Sequence, residues 1–301
     1  MPIVIPKDIP AYTKLLNEKI FVMNNERAVS QDIRPLEIAI LNLMPTKIET
    51  ETQFMRLLSN SPLQVNITLV NTKTYKSKNT SADYLDKFYK SFDDIKNKHF
   101  DGMIITGAPV ETMPFEDVKY WDELKKIFDF ADKNVTSTIY ICWGAQAALY
   151  YHYGIKKYEL PEKLFGVFAH KKNNDIQEPL FKGFDDVFYI PHSRHTSIDT
   201  EQAKQVDDLI ILSKTQPTGL SIAKSKDNKK IFLTGHMEYD RNTLKQEYER
   251  DLGKGMKIKK PCNYFENSES LNVNVNWTST ANLFYTNWLN YYVYQVTPFK
   301  F

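Results

Sequence analysis

The stretch TIYICWGAQAALYY, Thr138–Tyr151, joins a run rich in β-branched and aromatic residues to one with a helical pattern, and one of the chain's two cysteines, Cys142, stands at the join. Ser137–Ile141 reads as a strand, and WGAQAALYYHY as a helix closed by Gly154 just past its end. A cysteine on such a strand-to-helix turn is held up at the carboxyl edge of a sheet. Helix N–H groups beneath it, that of Trp143 among them, favour a thiolate and cradle a developing oxyanion. A free cysteine is more often a small buried hydrophobe, and the turn by itself leaves both readings open.

Working outward, the strand-then-helix unit recurs. Leu36–Leu43 reads as a mostly apolar strand, followed by a helix that Thr46 and Glu49 open at capping-box spacing. Leu63, Val65, Ile67 and Leu69 alternate with polar residues as in a strand with one polar face, and a charged, tyrosine-rich helix is expected over Ala82–Lys96. Phe100–Ala108 is a further strand, leading to a helix from Glu116 with Trp121, Leu124 and Phe128 on one face. Repeated units of this length predict right-handed crossovers and an α/β fold, three layers around a mainly parallel sheet with ligands at the carboxyl ends of its strands. Beyond Gly154 the pattern loosens. Strands are expected near Val187–Ile190, Leu209–Leu212, Gly219–Ala223 and Ile231–Thr234, with a hairpin turn at SKDNKK. A helix capped by Asp240 should run through Arg250 to Leu252, and an aromatic-rich last helix should span Thr280–Tyr294. No repeat or linker divides the chain, so one domain is expected, a core at 36–252 between extensions at 1–35 and 253–301.

A chain of 301 residues, 42% of them hydrophobic, can bury a large core. Lys+Arg 39 against Asp+Glu 37, with the signs interspersed, leaves no basic face for nucleic acid. A small molecule is the expected partner. MPIVIPKDIPAYTKLL is broken by prolines and charges, and no apolar run approaches the roughly 20 residues of a membrane span. Cys142 and Cys262 build neither a disulfide framework nor a four-ligand metal site, so the expected setting is the cytosol, with both thiols free and Cys262 inert.

A nucleophilic cysteine needs a base, and the chain has six histidines. In IFLTGHMEYD a strand ends near Thr234 and presents His236 and Glu238 two residues apart; in extended geometry they share a face, and the carboxylate orients the imidazole. In isolation HME also suits a solvated loop. His99, His152 and His170 have surface roles open to them. His192 and His195 stand three apart in PHSRHTS, but the proline and serines there argue for a loop, with no carboxylate to complete a metal site.

The strand, CWGAQ, helix and later GHMEYD resemble the class I glutamine amidotransferase fold, flavodoxin-like, in which Cys, His and Glu occur in this order. Six segments, LNLMPTKIETETQ, TGAPVE, YICWGAQAALYYHYGI, KLFGVF, PHSRHT and GHMEYD, together resemble the homoserine O-acyltransferases of methionine biosynthesis, nearly end to end. The resemblance implies ping-pong transfer from an acyl-CoA through acyl-Cys142 to the hydroxyl of L-homoserine, with His236 as base, Glu238 orienting it, and no cofactor. It also implies substrate contacts from Lys163, Ser193 and Arg250, the last on the homoserine carboxylate. Lys47 is a weaker candidate beside the oxyanion or CoA. Family members that use succinyl-CoA look to have Gly where this chain has Glu111, so the implied donor is acetyl-CoA, with O-succinyl transfer as the alternative. A glutaminase-type amidotransferase and a binding module that kept the fold are the rival readings. NLFYTNWLNYYVYQVTPF has more large apolar side chains than one helical face needs, which suggests cover by a second subunit or ordinary core packing; a homodimer is expected, as in the family it resembles.

Overall fold

The computed structural model describes residues 3–18, 20, 22–24, 26, 34–74, 79–173, 175–267 and 269–297. In chain order the strands are β1 (Ile3–Val4), β2 (Val22–Met23), β3 (Leu36–Leu41), β4 (Val65–Val70), β5 (Tyr89–Lys90), β6 (Phe100–Ile105), β7 (Val135–Ile141), β8 (Lys157–Lys171), β9 (Val187–Ile198), β10 (Leu209–Thr215), β11 (Gly219–Ser225) and β12 (Lys230–Leu233). The helices are α1 (Pro10–Asn17), α2 (Lys47–Leu58), α3 (Ala82–Phe88), α4 (Phe92–Ile95), α5 (Trp121–Asn134), α6 (Trp143–Tyr153), α7 (Thr200–Lys204), α8 (Thr243–Gly253) and α9 (Thr278–Asn287).

The sheet order is β10-β11-β12-β7-β6-β3-β4-β1-β2, with β5 beside the end of β4, while β8 and β9 pair separately and antiparallel. From β12 to β2 neighbours run parallel; β10 and β11 add an antiparallel edge. This is the expected α/β sheet. The central strands are buried on both faces, which is why they read as nearly continuous apolar runs. Ile38, Ile40, Ile104, Ile139 and Ile141 join a core cluster with Phe54 and Trp288; Ala39, Leu41, Met103, Ile105 and Tyr140 join another with Phe128 and Leu149. Each buried Ile, Leu, Met or Phe among them contributes about 1.5–3 kcal/mol.

The ends of the chain are built into this architecture. β1 extends the sheet beside β4; residues 27–33 of the expected N-terminal extension lie outside the described residues. At the other end α9 passes into a π-helical stretch, Trp288–Tyr294, and Phe284, Tyr285, Trp288 and Leu289 are fully buried. Trp288 donates from Nε1 to Ser137 Oγ at 3.0 Å and lies directly on β6, where a Cβ on Gly102 would come within 2.8 Å of its ring. Phe284, Tyr285, Trp288 and Tyr292 of this segment are therefore core, whereas Tyr294 is exposed; Pro298 and Phe299 lie outside the described residues. Among the described residues no helix is long and apolar enough to cross a membrane.

Several local expectations fail for identifiable reasons. Thr46 precedes α2 but makes no side-chain cap bond; the capping box that does form is Ser91 with Asp94. The helix expected over Ala82–Lys96 is interrupted at Tyr89, which drops into the sheet edge as β5 and bonds through its hydroxyl to Glu51 and Asn42. The segment from Glu116 begins as a short 3₁₀ turn, Phe115–Asp117, before α5 starts at Trp121. Asp240 does not cap α8, because it is paired with Arg56 at 2.5 Å; Asn242 takes that position. His192 and His195 lie on β9, not in a loop. His170 is buried rather than superficial, its ring stacked on those of His192 and Phe188.

Candidate active site

The parallel pairing of β7 with β12, in register at Ile141↔Leu233, brings two chain segments out side by side at the carboxyl edge of the sheet. Cys142 is the residue after β7. Its backbone, at φ 49° and ψ −114°, lies in a region L-residues seldom occupy, and its N–H donates to Leu233 O at 2.7 Å. The turn lifts Cys142 clear of the strand and makes it the N-cap of α6, with Trp143 as that helix's first residue and Gly154 closing the other end at φ 69°. Gly107, following β6, faces it. A Cβ there would lie 3.3 Å from Cys142 Cβ and 3.4 Å from His236 Cε1, so glycine permits the close approach of this backbone to both.

After β12 the chain turns. His236 and Glu238 meet through this turn and not along an extended strand: Tyr239 N–H donates to His236 O at 3.4 Å, and His236 N–H donates to Pro191 O at 2.8 Å. His236 Nδ1 lies 2.6 Å from Glu238 Oε1, and the imidazole stacks on Tyr239 at 4.2 Å between centroids. Burial opposes the imidazolium, but the charges of Cys142 and Glu238 facing it hold His236 well above its ordinary value. Glu238 Oε2 is buried with no hydrogen-bond partner among the described residues, so His236 anchors this carboxylate.

A cavity of about 370 Å³ opens above Cys142 and is lined by His236, Lys163, Ser193, Arg250 and Glu111, five further residues singled out in the sequence. Glu238, bonded to His236, and Trp143, next to Cys142, do not line it. Lys47 does not border the cavity: its Nζ donates to Asn42 O, and it lines a neighbouring space of about 140 Å³. Burial lowers its pKa to about 8, with Glu51 opposing.

Two carboxylates that sequence reasoning missed organise the far wall. Glu247 and Asp251 flank Lys163 Nζ at 3.5 and 3.4 Å, and Glu247 also accepts from Ser193 and from Tyr239. Arg250 is bonded to Asp251 at 2.8 Å with half its side chain exposed. Glu247, Arg250 and Asp251 stand at spacings of three and four on α8, a charged helical face that the periodicity of LKQEYERD contains. Glu111 is held by the backbone of β9, its Oε2 accepting from His195 N–H at 2.8 Å. Arg194, 1% exposed, was missed as well. It donates to Thr196 O, Thr218 O and His192 Nδ1; burial lowers its pKa, and the charges of Cys142 and Glu111 oppose that.

The sheet order and the strand–cysteine–helix turn place the chain in the structural class of the class I glutamine amidotransferases. A glutamine amidotransferase from Thermotoga maritima matches with TM-score 0.53 at 13% identity, covering 85% of this chain and 98% of that one; another from Methylobacillus flagellatus matches with TM-score 0.52 at 12%, covering 86% and 95%. Within that class the chain belongs to the homoserine O-acyltransferase family: the family model described as "Homoserine O-succinyltransferase" matches residues 2–299. Proteins named homoserine O-acetyltransferase are similar throughout, at 58% identity in Acetivibrio thermocellus (99% of this chain, 98% of that one) and 56% in Clostridium novyi (100% and 99%).

Proposed function

We propose that this protein transfers acetyl from acetyl-CoA to the side-chain hydroxyl of L-homoserine, for methionine biosynthesis, through an acetyl-Cys142 intermediate. The observation that carries the reading is the buried line Cys142, His236, Glu238 at the floor of a polar cavity. Cys142 as thiolate attacks the thioester carbonyl, and the tetrahedral adduct collapses with cleavage of the C–S bond to CoA. His236, protonated beside that thiolate, gives its proton to the departing CoA sulfur. Acylation removes the negative charge of Cys142, one of the influences that raise His236. The imidazole then returns toward its ordinary value and accepts the homoserine hydroxyl proton as that oxygen attacks. Collapse releases O-acetylhomoserine and restores the thiolate. One group thus serves as acid and then as base because the covalent state of its neighbour resets it.

L-Homoserine carries a carboxylate and an ammonium. Arg250 suits the first as a planar two-point donor, Glu247 and Asp251 suit the second, and Lys163 with Ser193 fixes those carboxylates. Backbone N–H groups at the start of α6, Trp143 first, would receive the oxyanion. Glu111 supports acetyl: its carboxylate, pinned to β9 at the cavity wall, takes the space and the charge that a succinyl tail needs. The acetyl names of the similar proteins support the same donor, and the succinyl description of the family keeps O-succinyl transfer as the second reading. We take the chain as one acyltransferase domain that works as a homodimer, for which light scattering is the test. Intact mass after mixing with acetyl-CoA tests the mechanism: one acetyl gained, lost on adding L-homoserine, and absent in Cys142→Ala. Glutamine hydrolysis without such an adduct would favour an amidotransferase.

A further inference from the structure

Beside the catalytic cavity lies a larger groove of about 660 Å³ to which no role has yet been given. The two share Lys163, His195 and Met256 as walls, so the groove leads to the mouth of the Cys142 site. Its sides are Leu160, Leu164, Phe165 and Phe168 of β8, with Ile258 opposite, and its rim carries Lys257, Lys259 and Lys260.

This groove is built into the fold. The segment that forms its outer wall is tied to β8 by Cys262 N–H donating to Phe165 O at 2.9 Å and Val167 N–H donating to Cys262 O at 2.8 Å. Between them Gly166 has φ 142°, and a Cβ there would meet the Cys262 carbonyl at 2.3 Å, so the close apposition requires glycine. Lys259 reaches Glu162 at 2.6 Å with both side chains mostly exposed, an ion pair of small net worth that a stronger anion displaces.

An apolar trench with a cationic rim, opening on a nucleophile, matches one half of the reaction proposed above. The acyl donor has a thioester at the end of a long, weakly polar pantetheine arm and several phosphates at its far end. We propose that the arm lies in this groove, its thioester passing between Met256 and His195 to Cys142 and its phosphates meeting Lys257, Lys259 and Lys260. This assignment rests on the CoA-dependent reading of the active site. The volume falls within the roughly 300–1,000 Å³ usual for ligand pockets, whereas the space beside Lys47, about 140 Å³, is too small for the arm. L-Homoserine is left the α8 side of the cavity, so the two substrates approach Cys142 from different directions.

The triple variant Lys257→Glu/Lys259→Glu/Lys260→Glu tests the rim. We expect the KM for acetyl-CoA to rise roughly tenfold or more, with the KM for L-homoserine unchanged and turnover of acetyl-S-N-acetylcysteamine, a thioester without phosphate, also unchanged. An unaltered KM for acetyl-CoA, or an equal loss with the phosphate-free thioester, overturns the assignment. Cys262 gives a reading free of turnover: in a Cys142→Ala background, CoA should slow maleimide labelling of Cys262, which is exposed in the groove wall. Labelling unaffected by saturating CoA, in a protein whose wild type transfers acetyl, overturns the groove alone. Protection by CoA in a protein whose wild type transfers no acyl group overturns the proposed reaction and leaves the groove standing.

Discussion

Glu238 and His236 are bonded at 2.6 Å with each side chain only 3% exposed. The carboxylate has no other hydrogen-bond partner among the described residues, so in the proposed mechanism its work is to set the tautomer and angle of one imidazole. Glu238→Gln keeps the shape and removes the charge. Its kcat should fall by on the order of 10²–10⁴ with little change in either KM; steady-state kinetics checked against circular dichroism decide this, and wild-type turnover would detach Glu238 from the chemistry.

His236 is held above its ordinary value by the fold. Its share of stability is therefore fully present below about 6.5, the unfolded value, and is lost as pH rises through the higher folded value. The urea-midpoint gap between wild type and His236→Asn should narrow as the solution is made alkaline. Cys142→Ala removes one raising charge, so in that background the narrowing should begin at lower pH. A gap indifferent to pH would contradict the pairing.

A Cβ on Gly107 would press on Cys142 and His236 at 3.3 and 3.4 Å, so one of them must give way. Gly107→Ala should lower kcat roughly tenfold to a hundredfold by displacing groups that need near-attack spacing, while the thermal midpoint moves little. A variant with normal kcat would show that this wall yields.

The pinned carboxylate of Glu111 predicts donor choice. Glu111→Gly should raise the ratio of kcat/KM for succinyl-CoA over acetyl-CoA at least about tenfold. Parallel assays with the two donors read it directly, and a wild type that already prefers succinyl-CoA would refute the argument about space and charge.

Trp288 seats the C-terminal segment on the sheet against Gly102, where a Cβ would come within 2.8 Å of its ring. Gly102→Ala should destabilise by about 1–3 kcal/mol through overpacking. Combined with Trp288→Leu, which vacates the space, the losses should fall short of additive by at least about 0.5 kcal/mol. Strict additivity in chemical denaturation would mean the two do not press on each other.

Much of this architecture was legible because the central strands bury both faces. Their apolar runs stand out locally, and the helix that starts after Cys142 ends on a glycine that needs φ above zero. The pair His236 and Glu238 was also found, although the route was wrong: a turn brings them together where an extended strand was expected. β8 was missed because its first half, KYELPEKL, is exposed and charged, and its pairing with β9 is a contact between segments with no local signature. His170, His192 and Arg194 were unreadable for a related reason. Polar residues suggest surface until their partners are known, and here those partners are one another and the carbonyls of Thr196 and Thr218. Glu247 and Asp251 were within reach, since a charged face at helical spacing lies in the sequence.

The register between β7 and β12 has a temporal side. During synthesis the thiol of Cys142 leaves the ribosome well before the imidazole that will govern it, and the strand that carries that imidazole into place is made later still than the helix beneath the thiol. On the mechanism proposed above, a half-made chain therefore owns a nucleophile without its proton carrier. Competence arrives only when a late strand docks against an early one, so the capacity to turn over substrate reports completion of the sheet.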